Sequence, residues 1–320
     1  MTQRLPLAAA AFALLSVPGV AYAECADFQA SSAELRLTYD PYDNGLVDRV
    51  FTVRVRRLDP AATAVRILLV DTDPARGYPM LGVGGPAQYD IRWLQDSGRP
   101  VFAAGAEQPN ATNGALIGFG AGPAGDAVSE TFRIRIPAGQ DVAAGSYFQP
   151  LEVRYLCYTG GDAAGTPEFQ TGGQVAIDLV TPDRISTFIG SAGIRRGQID
   201  FGALDGTTGS GVKSLIVTTQ ATLPYDIDVR ADRGALKRSD ADAYAVGYRM
   251  RLSGLAIRNG ARVSCARGTA PTGRSHPLQV ELSGKDLAQA PAGNYADTVT
   301  LTFSPRLNLS GGNGCALSAP

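Results

Sequence analysis

The stretch FRIRIPAGQDVAAGSYFQPLEVRY, Phe132 to Tyr155, decides the fold, because a second copy of its pattern closes the chain between Leu278 and Phe303. In each copy an alternating apolar strand runs into an Ala-Gly turn, an aromatic follows two residues after the glycine, and a second alternating strand completes the unit. Gly145 and Tyr147 match Gly293 and Tyr295. Leu151, Val153 and Tyr155 match Val299, Leu301 and Phe303 on one strand face, while Glu152 and Arg154 match Thr300 and Thr302 on the other. Apolar residues at every second position put one face in a core and the other in water. Two such units predict a tandem repeat with one core per half.

Outward from the repeat the same period continues. Leu35, Leu37 and Tyr39 alternate, as do Phe51, Val53 and Val55, then Val65, Ile67 and Leu69, then Tyr89, Ile91 and Trp93. Turn-formers such as Asp40-Pro41, Asn44-Gly45 and Asp59-Pro60 separate them. No window sustains helical periodicity. The first half reads as an antiparallel sandwich of about seven strands. A glycine-rich loop from Thr159 to Pro167, a last strand through Val175, Ile177 and Leu179, and a linker at Thr181-Pro182-Asp183 lead into the second half. There Leu215 and Val217, then Tyr225, Ile227 and Val229, then Tyr244, Val246, Tyr248 and Met250, then Leu255 and Ile257 alternate in turn. Charge sits on the opposite faces at Asp226, Asp228, Arg249 and Arg251.

The chain opens with Arg4, an apolar run from Leu5 to Val20, and Ala21-Tyr22-Ala23, the small-residue pattern that a signal peptidase cuts after. Residues 1–23 are therefore expected to be a signal peptide, with an exported, soluble product starting at Glu24. The expected domains are 24–181 and 184–320. Export places four cysteines in an oxidising compartment, which predicts two disulfides. Three pairings are possible; one core per half favours Cys25 with Cys157 and Cys265 with Cys315. A net charge of −1 supplies no field to attract nucleic acid or an acidic membrane surface.

Little in the chain points to catalysis. His276 is the one histidine and stands between Ser275 and Pro277 among turn residues, so it reads as a loop histidine with no triad around it. Gly120 to Gly125 matches G-x-G-x-x-G, yet a strand follows where a pyrophosphate site needs a helix. Gly268 to Ser275 spells a phosphate-loop pattern with arginine in place of lysine, again with no helix after it. Asp71 with Asp73 and Asp240 with Asp242 read as solvated turns with too few ligands for calcium. The expectation is no enzyme, no catalytic or metal residues and no cofactor; a secreted hydrolase using paired carboxylates is the remote alternative. Two glycine-rich loops carry apolar groups instead: Met80, Leu81 and Val83 in one, Leu116, Ile117 and Phe119 in the other. Such residues either plug the end of a core or face water as a sticky patch.

Several short motifs resemble the spore coat protein U-like domain, the module of archaic chaperone-usher pilus subunits. In the first half they are Tyr39-Asp40-Pro41, Gln88-Tyr89-Asp90-Ile91 leading to Asp96 and Val101-Phe102, and Ile136-Pro137-Ala138-Gly139-Gln140 followed by Ala144-Gly145-Ser146-Tyr147. In the second they are Phe201-Gly202, Pro224-Tyr225-Asp226-Ile227, Gly247-Tyr248-Arg249-Met250, and Pro291-Ala292-Gly293-Asn294-Tyr295-Ala296-Asp297-Thr298-Val299-Thr300. The family often bridges its first two strands, whereas the second half here has its cysteines late. The resemblance implies an all-β chain of two tandem immunoglobulin-like, pilin-type sandwiches, the second lacking one strand. It implies a tip adhesin whose first domain binds an abiotic or host surface. The second domain would accept a donor strand from the adjacent pilin subunit at the edge holding Tyr295, Val299, Leu301 and Phe303. A periplasmic chaperone and an outer-membrane usher are the further implied partners, and the cell surface at a pilus tip the implied location. The alternative in the same family is a non-adhesive structural or coat subunit. A tip position makes the two apolar loops the candidate binding surface. It also agrees with Cys25, whose disulfide would hold the start of the mature chain to its own domain and leave no strand to donate.

Overall fold

The computed structural model describes residues 24–31, 34–71, 87–160, 168–204, 211–306 and 314–318. Nearly all of the regular structure is β. The first half contains β1 (Ala26–Ala30), β2 (Arg36–Thr38), β3 (Val47–Arg57), β4 (Ala62–Asp71), β5 (Asp90–Trp93), β6 (Arg99–Pro100), β7 (Phe102–Ala104), β8 (Ala115–Gly118), β9 (Ala127–Ile136), β10 (Gly145–Thr159) and β11 (Glu168–Thr181). The second contains β12 (Ile185–Ile189), β13 (Val212–Ala221), β14 (Tyr225–Ala231), β15 (Leu236–Arg238), β16 (Ala241–Val246), β17 (Tyr248–Leu252), β18 (Leu255–Ile257), β19 (Arg262–Cys265), β20 (Arg274–Leu282), the short α1 (Gly284–Leu287), β21 (Tyr295–Ala296), β22 (Val299–Pro305) and β23 (Cys315–Leu317).

The repeat extends to whole sheets. One sheet of the first half has the order β1-β3-β9-β5-β6, and its counterpart in the second half has β12-β13-β20-β17-β18, strand for strand. The opposing sheets differ. In the first half it runs β2-β11-β10-β4-β7, with β8 also paired to β4; in the second it runs β22-β14-β19-β23. Two parallel pairs, β2 with β11 and β4 with β7, depart from the wholly antiparallel expectation. Both involve three-residue strands at the two ends of the sheet.

Each half buries its own apolar cluster. Phe51, Phe132, Ile67 and Tyr155 anchor the first, with the Phe51 and Phe132 rings 5.6 Å apart. Tyr225, Ile227, Leu252 and Val263 anchor the second. Cys25 is bonded to Cys157 and Cys265 to Cys315, so each bridge lies within one half. The expected strand from Tyr244 to Met250 is two strands, because the chain breaks at Gly247. Its N–H donates to Asp286 Oδ2 at 2.9 Å, and a Cβ there would stand 2.7 Å from that oxygen. Any larger residue there would have to displace the Asp286 carboxylate. Asp71, expected in a solvated turn, is buried at the end of β4.

The segment between the halves is tied down rather than loose. Thr222 Oγ1 donates to Pro182 O at 2.9 Å, Arg184 N donates to Thr222 Oγ1 at 2.8 Å, and Thr222 N donates to Arg184 O at 3.0 Å. Arg184 pairs with Asp40 and lies over the Tyr42 ring. Tyr42 OH donates toward the carbonyls of Ala221 and Gly268, both at 3.0 Å. Asp141 accepts from Arg267 and from the N–H of Ala270.

Candidate functional site: an uncovered strand edge

The two copies of the closing hairpin are built alike. Tyr147 OH donates to Ala143 O at 2.7 Å, and Tyr295 OH donates to Pro291 O at 2.9 Å, the same four-residue reach back over the turn. The strands that follow keep the same register on their inner neighbours. Val153 and Tyr155 of β10 face Leu69 and Ile67 of β4, while Leu301 and Phe303 of β22 face Val229 and Ile227 of β14.

On the other edge the copies part. β10 pairs along its length with β11, which sets Leu151 opposite Val175, Gln149 opposite Ile177 and Tyr147 opposite Leu179. β11 also packs on β1, so it fills the space between β10 and the first strand of the facing sheet. Leu151, Val153 and Tyr155 are fully buried as a result. Among the described residues no strand pairs with the outer edge of β22, and β12 of the facing sheet approaches it. Val299, Leu301 and Phe303 are only half-buried, as are Ile185 and Ile189 on the core-facing side of β12. The result is a partly exposed apolar edge whose outer backbone groups are bonded by no strand among the described residues, and an unpaired edge of this kind can accept an added strand.

A buried polar cluster lies behind this edge. His276 is fully buried on β20, not in a loop, and the alternation of His276 with Leu278, Val280 and Leu282 is the signal that Pro277 obscures. Its Nε2 shares a 2.6 Å hydrogen bond with Tyr225 OH and its Nδ1 a 2.8 Å bond with Ser253 Oγ. The imidazole centroid lies 6.2 Å from that of Phe303. Burial, and then the nearby Arg274 charge, push its pKa down to about 4, so the ring is neutral at pH 7. Burial likewise raises the Tyr225 phenol to about 12. Cys265 and Cys315 lie close enough to His276 to suggest a metal site, but their sulfurs are bonded to each other and offer no thiolate.

The second expected surface fares differently. Met80, Leu81 and Val83 lie outside the described residues. Ile117 is buried in β8 opposite Val65, so it belongs to the core and not to an exposed tip. Leu116 is half-buried in the same strand, and Phe119 packs against the core under the Arg57 guanidinium. β-pairing with β4 accounts for this, since it turns alternate residues of the loop inward. Sequence reasoning missed Arg57. It is buried in β3 and donates to the carbonyls of Ala62, Gly120, Gly122 and Pro123, holding the glycine-rich segment that resembles a nucleotide loop. The strand β9 follows that segment, and the phosphate-loop-like Gly268 to Ser275 runs directly into β20, so neither has a helix N-terminus to offer an anion.

No protein-family model matches the chain, and no curated protein matches it. Among the described residues no helix is long and apolar enough to cross a membrane. Solved structures that are similar to it include a chain of the CsuC-CsuE chaperone-tip adhesion subunit pre-assembly complex from the archaic chaperone-usher Csu pili of Acinetobacter baumannii (15% identity, 86% of this chain and 99% of that chain, TM-score 0.36). CfaE, the adhesive subunit of the CFA/I fimbria of enterotoxigenic Escherichia coli, is similar at 14% identity over 88% of this chain and 81% of that chain, with a TM-score of 0.38. The CooA pilin subunit from enterotoxigenic Escherichia coli is similar at 15% identity over 49% of this chain and 99% of that chain, with a TM-score of 0.30.

Proposed function

We propose that the chain is a subunit of a chaperone-usher pilus, made of two domains meeting near Pro182, whose second domain accepts a strand from a neighbouring subunit along β22. One observation carries this reading: β10 is covered by β11, whereas the matching strand β22 is uncovered among the described residues. The motif resemblance to pilus subunits points the same way. The first domain supplies its own covering strand and is complete at that position. Residues 26–30 are held in their own domain by five register pairs with β3 and by the neighbouring Cys25–Cys157 bond, and the part we assign the chain within the fibre is that of a tip adhesin. The packing of Ile117 and Phe119 favours a second reading, a tip subunit that caps the fibre without binding a surface. Deleting the gene and comparing attachment with fibre number tests both. Loss of attachment with fibres still present supports the adhesin. Unchanged attachment with fibres present supports the capping subunit, and loss of the fibres themselves means the chain is needed to build the shaft.

A further inference from the structure

The second half holds a cleft of about 680 Å³ beside the β17–β18 hairpin, lined by no residue of β12 or β22. Arg249 and Arg251 of β17 and Arg258, just past β18, line it. Met250 and Ile257 face each other across this hairpin and both are buried. The alternating residues therefore point to the other side, and continuing the register brings Arg258 opposite Arg249, with Arg251 roughly 6.7 Å further along β17. All three arginines are exposed.

Like charges directly across a strand pair are destabilising, so this arrangement calls for a counter-charge. The protein provides little. None of the three forms an ion pair among the described residues. Glu281 faces Arg249 from β20 and is a single charge against three. Asp297, near Tyr248 at the rim, already accepts from the Tyr248 hydroxyl and from the N–H groups of Arg233 and Thr298. In a chain of net charge −1 this is a local concentration of positive charge, not a general property of the surface.

We propose that this cleft binds an acidic polysaccharide, whose carboxylate or sulfate groups pair with Arg249, Arg251 and Arg258. Guanidinium groups recognise such planar or tetrahedral anions through paired N–H donors, and three of them spaced along a hairpin suit a ligand with repeated charges rather than one ion. Val212, exposed beside them in the cleft, offers an apolar surface for the carbon face of a sugar ring. A nucleic-acid strand fits less well. Tyr248 is the one aromatic lining the cleft and its hydroxyl is held by Asp297, so no row of rings is present for bases to stack on. This inference is independent of strand acceptance, which involves a different edge.

The test is titration of the full mature chain with oligogalacturonate and with a heparin oligosaccharide, beside neutral dextran and inorganic phosphate. We expect both acidic oligosaccharides to bind, dextran not to bind, and affinity to fall as salt is raised. The variant Arg249→Gln/Arg251→Gln/Arg258→Gln should lose roughly ten-fold or more in affinity with an unchanged melting temperature. Replacing the exposed Arg195 and Arg196 instead should change nothing. If the triple variant fails to fold, Arg258→Gln alone, at a turn, should weaken binding several-fold. Absence of binding, binding that survives the substitutions, or phosphate binding as tightly as the oligosaccharides would each overturn the proposal.

Discussion

Tyr155 and Phe303 occupy the same position in the two copies of the closing hairpin, facing Ile67 and Ile227 respectively, yet the first is fully buried and the second is not. The difference comes from β11, which covers one strand and has no counterpart on the other among the described residues. Tyr155→Ala should cost about 3–5 kcal/mol, as for other buried aromatics. Phe303→Ala should cost clearly less in the isolated chain, because part of the ring already meets water. Urea denaturation of both variants checks this, and an equal loss would mean that the outer side of β22 is filled.

The paired hydrogen bonds of Tyr147 and Tyr295 give a second expectation. Tyr147→Phe and Tyr295→Phe should each lower stability by about 1 kcal/mol, the ordinary net worth of one hydrogen bond, with the larger loss at the more deeply buried Tyr147. Stability measured in urea decides it; a loss at one tyrosine only would show that the two turns are not equivalent.

His276 makes stability depend on pH in a predictable direction. Its folded pKa of about 4 lies below the ordinary value of 6.5, so the unfolded chain takes up the proton first. The contribution is whole above pH 6.5 and is lost as pH falls towards 4, by about 3 kcal/mol over that interval. His276→Gln should flatten the profile between pH 7 and 4.5 in denaturation series. A wild-type profile no steeper than that of the variant would contradict the assignment.

Arg57→Ala should release the segment from Gly120 to Pro123, whose carbonyls the guanidinium holds, and uncover Phe119. Leaving these acceptors without a donor costs about 1–3 kcal/mol for each one that water does not reach. Limited proteolysis should then cut between residues 119 and 126, where the native chain resists.

Much of this architecture is legible in the sequence, because period-two alternation marks strands wherever one face meets a core. The repeat of Gly145 and Tyr147 at Gly293 and Tyr295 shows at once that two copies of one unit are present. What alternation does not carry is which strands lie side by side. The exposed-tip expectation for Ile117 fails for that reason: nothing local says that residues 115–118 pair with β4. His276 is hidden by its neighbours Ser275 and Pro277, which read as a turn although Pro277 is accommodated in β20. Likewise Pro182 suggests a loose joint, while the bonds of Thr222 and Arg184 that fasten it come from residues far apart in sequence.

Strand acceptance at β22 is tested most directly with a peptide of the chain's own β11, residues 174–181, because the register of β10 and β22 on their inner neighbours is the same. Hydrogen exchange of the full chain is followed over residues 295–306 with and without the peptide. The account predicts fast exchange on the outer edge of β22 in the free chain, protection when the peptide is present, and a rise in melting temperature that grows with peptide concentration. Leu301→Asp should abolish both effects. Full protection of residues 299–305 before any peptide is added, or no change on adding it, would contradict the claim that this edge is open to a neighbour's strand.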